Sequence, residues 1–379
     1  VKELFKNMIY RSNMFSTLGY NYLGPVDGHD IKAMESAFKI ACEYDRPSLV
    51  HVVTTKGKGY RYAETNPKNY HGVSPFSVEA GAENGGGMNF SAVAGKTLCE
   101  LAEKDDKICA ITAAMTEGTG LGEFAVQYKS RFFDVGIAEQ HAVCFGAGLA
   151  SKGMKPYFAV YSSFLQRGFD QIIHDVAIGN FPLTLLVDRA GIVGEDGESH
   201  QGLFDVSYLT LIPNMTVFSP SSYEELKFRI KYTAENRGVY AVRYPRGCEK
   251  PCGNVDFTHD FTLVSGDSKK AIVTYGRLFA EAVAAKNEKN EVNIVKLNKI
   301  YPLEDRLIET LKGFEEIYVF EETAKSGGIG EHIGAKLLES GYKGKFKINA
   351  VGNEFVPQGK PDEILKSYGL DKQAMLKCF

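Results

Sequence analysis

No tryptophan occurs in the 379 residues, no apolar run reaches the length of a membrane span, and neither sign of charge dominates. With 44 basic against 47 acidic side chains the formal net charge is −3, which gives no electrostatic reason to expect nucleic acid or an anionic membrane. Val1-Lys2-Glu3 is not a secretory signal. Cysteine is sparse: Cys42, Cys99, Cys109, Cys144, Cys248, Cys252 and Cys378 are scattered and odd in number. Only Cys248 and Cys252 lie close, with no second pair or histidine cluster to complete a zinc site. Free or buried thiols in a reducing cytoplasm are the expectation. Repeats of solenoid period are missing too. What remains is a globular composition, 44% hydrophobic and 24% charged, in a chain long enough for two or three domains.

The pattern that fills this length is helix alternating with apolar strand, the grammar of α/β proteins with doubly wound parallel sheets. Residues 1–73 hold a helix, the loop Gly24–Asp30, a helix near 31–44, a strand at Pro47–Thr54 and the turn Lys56–Tyr60. This is too little for a domain alone. The chain opens without Met on an amphipathic pattern already under way, as expected of a cut into a longer protein. Residues 74–89, with the glycine-rich 81–87, read as a linker. The alternation restarts over 90–250, with strands at Ile108–Thr112, Phe133–Val135, Tyr157–Tyr161, Leu183–Asp188, Met215–Phe218 and Tyr240–Tyr244, and a helix around 164–179. A polar connector at 251–268 leads to a third set ending at 379, with strands Ala271–Thr274, Val292–Lys296, Ile317–Phe320 and Lys347–Ala350. Gly327-Gly328-Ile329-Gly330 before a helix resembles a phosphate loop superficially, and a tight turn explains it as well.

Ligands of open α/β sheets sit beyond the carboxyl ends of the strands. The segments after the middle strands carry Met115, Glu139, Tyr161, Phe164, Arg167, Arg189, Asp196, His200 and Arg246. Glu139 opens a helix after Phe133-Asp134-Val135-Gly136, in apolar company that raises a carboxyl pKa. A helix-terminal carboxylate facing the macrodipole is the alternative. Arg167, Arg189 and Arg246 come after successive strands, and the guanidinium fork suits carboxylate or phosphate. His71, Asp196 and His200 lie in glycine-rich loops, where acid–base groups are often held.

Several motifs in order, Gly24–Asp30 (GPVDGHD), Lys56–Tyr60 (KGKGY), Asp134–Ala142 (DVGIAEQHA), Tyr161–Gln171 (YSSFLQRGFDQ), Asp188–Phe204 (DRAGIVGEDGESHQGLF) and Tyr244–Gly247 (YPRG), resemble the 1-deoxy-D-xylulose-5-phosphate synthases, thiamine-diphosphate enzymes of the transketolase group. The resemblance covers essentially the whole chain. It implies the remnant of a diphosphate-binding domain at 1–73, a pyrimidine-binding domain at 90–250 and a transketolase C-terminal-type domain at 251–379. Glu139 matches the glutamate that exchanges a proton with N1′ of the aminopyrimidine, Phe164 the aromatic packed against that ring, and Tyr60 and Met115 further cofactor contacts. Tyr161, Arg167, Arg189 and Arg246 match the substrate side, and His71, Asp196 and His200 the polar groups around the reacting centre. The implied reaction joins pyruvate and glyceraldehyde 3-phosphate to give 1-deoxy-D-xylulose 5-phosphate and carbon dioxide, in a cytoplasmic homodimer using thiamine diphosphate and Mg²⁺.

One family feature is missing. The Gly-Asp-Gly motif and later asparagine that hold Mg²⁺ have only approximations here, Gly266-Asp267-Ser268 and Glu195-Asp196-Gly197, so no metal ligand is assigned. The pyrimidine side of the site is expected without the diphosphate side, and with it weak cofactor binding and little turnover by this chain alone. The competing readings are a β-type subunit of a split transketolase or 2-oxoacid dehydrogenase, and a non-catalytic dimerisation fragment.

Overall fold

A computed structural model describes residues 13–67, 69–73, 75–82, 87–194 and 196–379. The helix expected to begin at Val1, the centre of the 81–87 glycine run and Glu195 lie outside the described residues. The chain divides into two compact units, Val1–Gly87 and Met88–Phe379.

In the smaller unit β1 (Asn21–Asp27) and β2 (Ser48–Val53) pair in parallel, with a register shift between Leu23 and Val26. The expected loop at Gly24–Asp30 is therefore half strand, because the Gly24-Pro25 step is accommodated as an irregularity within the pairing. Helix Ile31–Cys42 makes the crossover, started by Asp30, whose carboxylate accepts from the Ala33 amide at 3.1 Å. That helix buries only Ala37 and leaves Ile31 and Phe38 exposed. Tyr60, Tyr62, Tyr70 and Phe76 form an aromatic group with the Tyr60–Tyr62 and Tyr60–Tyr70 centroids 5.5 Å apart.

The larger unit contains two sheets. Strands β3 (Ile108–Thr112), β4 (Phe132–Asp134), β5 (Lys155–Tyr161), β6 (Leu183–Asp188), β7 (Met215–Phe218) and β8 (Val239–Arg243) belong to the first. Strands β9 (Phe261–Val264), β10 (Lys270–Thr274), β11 (Asn293–Leu297), β13 (Glu316–Ala324) and β14 (Lys345–Val351) form the second. Strand β12 (Lys299–Tyr301) leaves the second set and joins the first, antiparallel to β7. The orders are β12-β7-β8-β6-β5-β3-β4 and β14-β13-β10-β11-β9, parallel except for β12 on β7 and β9 on β11. Both exceptions were unforeseen: β9 lies in the supposed polar connector, and each is a short edge strand defined by its one neighbour rather than by an apolar run. The expected helix around 164–179 is broken into short turns, Ser162–Leu165, Gln166–Gly168, Phe169–Gln171 and Ile172–Ala177, the last wound more widely than an α-helix. Among the described residues no helix is long and apolar enough to cross a membrane.

Runs such as Ile108-Cys109-Ala110-Ile111 and Leu183-Thr184-Leu185-Leu186-Val187 are buried on both faces, as internal parallel strands require. The two sheets share one core, in which Ile111, Phe158 and Leu185 join Val273, Val295 and Ile317. A buried ion pair crosses between them. The Lys296 ammonium lies 2.8 and 2.7 Å from the two oxygens of Glu225, and the Ser221 amide and hydroxyl donate to the same carboxylate at 2.8 and 2.9 Å. Both charged side chains are fully buried, and burial holds the ammonium below the usual lysine range. Removing one partner strands the other charge in the core. Glu225→Ala is expected to cost about 3–5 kcal/mol in denaturant unfolding, while replacing both residues by methionine costs less or nothing.

Candidate functional site

The carboxyl ends of β3 to β6 and β8 form one rim, and its geometry starts at Asp134, the last residue of β4. The Asp134 carboxylate accepts from the amides of Ala114 at 2.8 Å and Gly136 at 3.0 Å and from the Thr116 hydroxyl at 3.1 Å. Gly136 takes the left-handed conformation (φ 73°), which turns the chain into helix Glu139–Ser151. Glu139 is thereby set in the first turn with 2% exposure, and its carboxylate accepts from Nη1 of Arg167 at 2.6 Å.

From Arg167 a continuous series of contacts runs along the rim. Its guanidinium lies 4.9 Å from the centroid of Phe164. The Phe164 ring stacks at 5.7 Å on Tyr161 and meets the edge of His200 at 5.4 Å. Arg189 lies over the Tyr161 ring at 3.7 Å from its centroid. Its own backbone is left-handed (φ 56°), and its Nη1 donates to the Gly118 carbonyl at 2.8 Å and to Asp188 at 3.2 Å. Asp188 also accepts from the Ser91 hydroxyl at 2.6 Å. Burial pushes the Asp188 carboxyl up to about 6, against the pull of the Arg189 guanidinium, and burial likewise raises the Tyr161 phenol. Arg246 donates to Asp196 at 3.0 Å, within electrostatic reach of Tyr161. His200 Nδ1 lies 2.9 Å from the Ser199 hydroxyl.

Thus Glu139, Arg167, Phe164, Tyr161, Arg189 and His200 are brought into one series of contacts, with Arg246 and Asp196 beside it. Each of the three arginines assigned above to an anion site has a carboxylate partner, which the sequence did not announce. Met115 is half-buried against the core, and its carbonyl accepts from Thr119. His71 and Tyr60 belong to the smaller unit and are engaged inside it, His71 with Lys56 at 3.0 Å and the Tyr60 hydroxyl with the Val78 carbonyl at 2.8 Å. Asp134, Ser91 and Asp188 went unnoticed as site-forming residues. For Asp134 and Asp188 a polar residue at the end of an apolar strand was the available signal, whereas Ser91 lies in the first turn of a helix. Ser162, Ser163 and Gln171 bury side-chain oxygens that have no hydrogen-bond partner among the described residues.

Two of the three motifs that suggested phosphate or metal lie elsewhere, and the third, Glu195-Asp196-Gly197, contributes Asp196 to the rim. At Gly327–Gly330 the amides of Ile329 and Gly330 donate to the protein's own Glu321 at 2.9 and 3.0 Å, and the Tyr275 hydroxyl adds a third bond at 2.8 Å. An internal carboxylate fills the place an anion would take. Gly266-Asp267-Ser268 precedes β10, at the end of the strand opposite to where ligands of such sheets sit. Among the described residues no group of three His, Cys, Asp or Glu side chains could hold a metal ion.

A carboxyl whose pKa rises from 3.8 to about 6 on folding binds its proton more readily in the native state. Its contribution to stability is present below the unfolded value and is lost as pH rises through 6. Unfolding of the protein between pH 4 and 7, compared with Asp188→Asn, is expected to show that loss in the unmodified chain and a flatter profile in the variant.

Three family profiles match the chain in order. They are 1-deoxy-D-xylulose-5-phosphate synthase over residues 1–54, the transketolase pyrimidine binding domain over 86–249 and the transketolase C-terminal domain over 262–375. The chain is similar to the 1-deoxy-D-xylulose-5-phosphate synthase of Clostridium perfringens strain ATCC 13124, at 43% identity over 99% of this chain and 62% of the relative. It is similar to that of Clostridium tetani, at 39% identity over 100% of this chain and 62% of the relative. The chain therefore spans about 62% of the length of these relatives. Among solved structures, a split-gene transketolase described as an inactive β4 tetramer superposes with a TM-score of 0.68 at 25% identity, over 77% of this chain and 97% of the other. The transketolase of Campylobacter jejuni shares the fold, with a TM-score of 0.65 at 14% identity over 98% of this chain and 69% of the other.

Proposed function

Since the chain belongs to the 1-deoxy-D-xylulose-5-phosphate synthase family, we propose that its larger unit supplies the aminopyrimidine side of a thiamine-diphosphate site that condenses pyruvate with glyceraldehyde 3-phosphate to 1-deoxy-D-xylulose 5-phosphate. The observation that carries this reading is Glu139. It is a carboxylate with 2% exposure at the head of a helix, on the same rim as the aromatic wall of Phe164 and Tyr161. One buried carboxylate beside an aromatic face suits a flat heteroaromatic ring with a basic nitrogen. Among the described residues no group of three or more His, Cys, Asp or Glu side chains is arranged to hold a metal ion, so this rim is assigned the pyrimidine side only.

When bound, thiamine diphosphate supplies the carbon nucleophile and the electron sink for decarboxylation. The chain's own residues do the rest. Glu139 holds or releases a proton at the pyrimidine N1′, sheltered from water by the helix it begins. Phe164 and Tyr161 keep the ring plane fixed. Arg189 and Arg246 supply guanidinium groups for the acceptor's phosphate, each oriented by its carboxylate neighbour. His200, at the edge of Phe164, stands where a hydroxyl proton of the acceptor could be exchanged.

Calorimetry with thiamine and with thiamine diphosphate plus Mg²⁺ tests the division of the site. Both ligands are expected to bind this chain weakly and alike, and Glu139→Ala is expected to remove what binding there is. Micromolar binding of the diphosphate form by this chain would place the anchor inside it and overturn the division. In any assembly of the chain that consumes pyruvate, Glu139→Gln is expected to slow carbon dioxide release about 10²–10⁴-fold, the usual contribution of a positioned acid–base group.

A second reading, a subunit that works with a separate chain, is supported by the split-gene transketolase, 97% of which this chain covers. Self-association is part of either reading. Ile137, two residues before the helix that Glu139 begins, and Ile178, after the turn Ile172–Ala177, are exposed, and exposed apolar side chains of that kind suit a second copy. Light scattering at micromolar concentration is expected to show at least a dimer. A monomer there would refute the self-association.

A further inference from the structure

The loop that carries Asp196 and His200 leaves the seven-stranded sheet after β6 and closes on itself at Gly202, with its stems packed against the other sheet. Gly191 and Gly202 close it through reciprocal amide–carbonyl bonds of 2.7 and 2.8 Å. Next to that closure Ile192 and Leu203, 1% and 2% exposed, insert into the core of the five-stranded sheet with Ile272, Phe279 and Phe320. The backbone is gripped as well. Glu322, in β13, accepts from the Ile192 amide at 3.4 Å and from Nε and Nη2 of Arg277 at 3.0 and 2.7 Å, and Arg277 donates to the Ile192 carbonyl. The Ala324 amide donates to Leu203 at 2.9 Å.

Gln201, beside His200 and 4% exposed, completes the grip from inside the loop. Its Oε1 accepts from the amides of Val193 at 2.7 Å and Gly194 at 3.3 Å, and its Nε2 donates to the Pro357 carbonyl at 3.3 Å. The Gly359 amide reaches the Gly194 carbonyl at 3.4 Å, and Gly194 has a left-handed backbone (φ 88°) where a Cβ would strike Gly359 at 2.7 Å.

We infer that the five-stranded sheet is the frame that positions the Asp196–His200 loop over the rim, with Gln201 as the positioning residue that ties the loop to it. A loop free at both stems loses the entropy of ordering at the moment it acts. One whose stem side chains lie in a neighbouring core has lost it on folding. The loop's importance to chemistry rests on the reading given under Proposed function, whereas its attachment does not.

Gln201→Glu separates the two halves of the contact. It keeps the acceptor for Val193 and Gly194 and has no proton for the Pro357 carbonyl. In the full chain without cofactor, amide exchange over 191–202 is expected to quicken about tenfold, the fold-change that matches one lost hydrogen bond. The ring-current displacement of the His200 proton signals, assigned by comparison with Phe164→Leu, is expected to shrink, while β5 and β6 keep their protection. Unchanged loop exchange and unchanged His200 signals overturn the inference. Should Gln201→Glu fail to fold, the unmodified chain still decides. Val193 and Gly194 amides are expected to open with the denaturant dependence of β13, and exchange at the rate of a free peptide overturns the inference. None of these measurements needs a cofactor. A chain that passes them and does not take thiamine refutes the functional reading alone.

Discussion

A carboxylate buried in the interior must be answered by a cation or by hydrogen-bond donors, and this requirement shapes the larger unit. Glu139, Asp188, Asp205, Glu225, Glu321 and Glu322 are all at most 5% exposed. Arg167 answers the first, Ser91 and Arg189 the second, and the Arg243 fork the third at 2.9 and 3.2 Å. Lys296 answers Glu225, Arg277 answers Glu322, and Glu321 is satisfied by Tyr275 and two helix amides. Apolar burial drives the two sheets together, but such contacts tolerate sliding. An ion pair such as Glu225–Lys296 does not, because a small displacement leaves both charges unanswered in a dry interior. The shared apolar core brings the two sheets together, and the Glu225–Lys296 pair adds a directional constraint on their relative placement.

The central strands were legible because they are apolar on both faces and flanked by helical patterns. Leu183–Asp188 matches its expected limits, and Ile108–Thr112 does as well. The edge strands were not legible. Lys299–Tyr301 has three residues and exists because Phe218 and Val217 offer free edge groups to pair with. The rim was visible residue by residue, since the first residues after each parallel strand lie at its carboxyl end. The pairings on it were not. Whether Arg167 faces Glu139 or solvent depends on how a broken helix winds after Tyr161, and no local pattern encodes a widened turn. Ile192 and Leu203 did carry a signal. Isolated apolar residues in a glycine-rich polar loop have to be buried against something, and that something is the second sheet.

Exposure divides the Glu139–Arg167 pair unequally. The carboxylate is almost wholly enclosed, whereas the Arg167 side chain is 46% exposed. The guanidinium keeps much of its hydration, so the desolvation cost falls on Glu139. A ring N–H donated to that carboxylate would compete with a partner that water already shares, which makes the exchange less expensive than breaking an enclosed pair such as Arg243–Asp205, whose side chains are 3% and 0% exposed.

The walls of the rim then have two origins. Glu139, Tyr161 and Phe164 are set by the seven-stranded sheet, through Asp134 and the turns after β5. His200 and Asp196 are set by a loop whose stems lie in the core of the five-stranded sheet. The two systems meet where the Phe164 ring faces the His200 edge at 5.4 Å. The Glu225–Lys296 pair between the sheets and the Phe164–His200 contact on the rim consequently depend on the same relative placement, so the sheet that contributes no strand to the rim still bears on where its histidine stands.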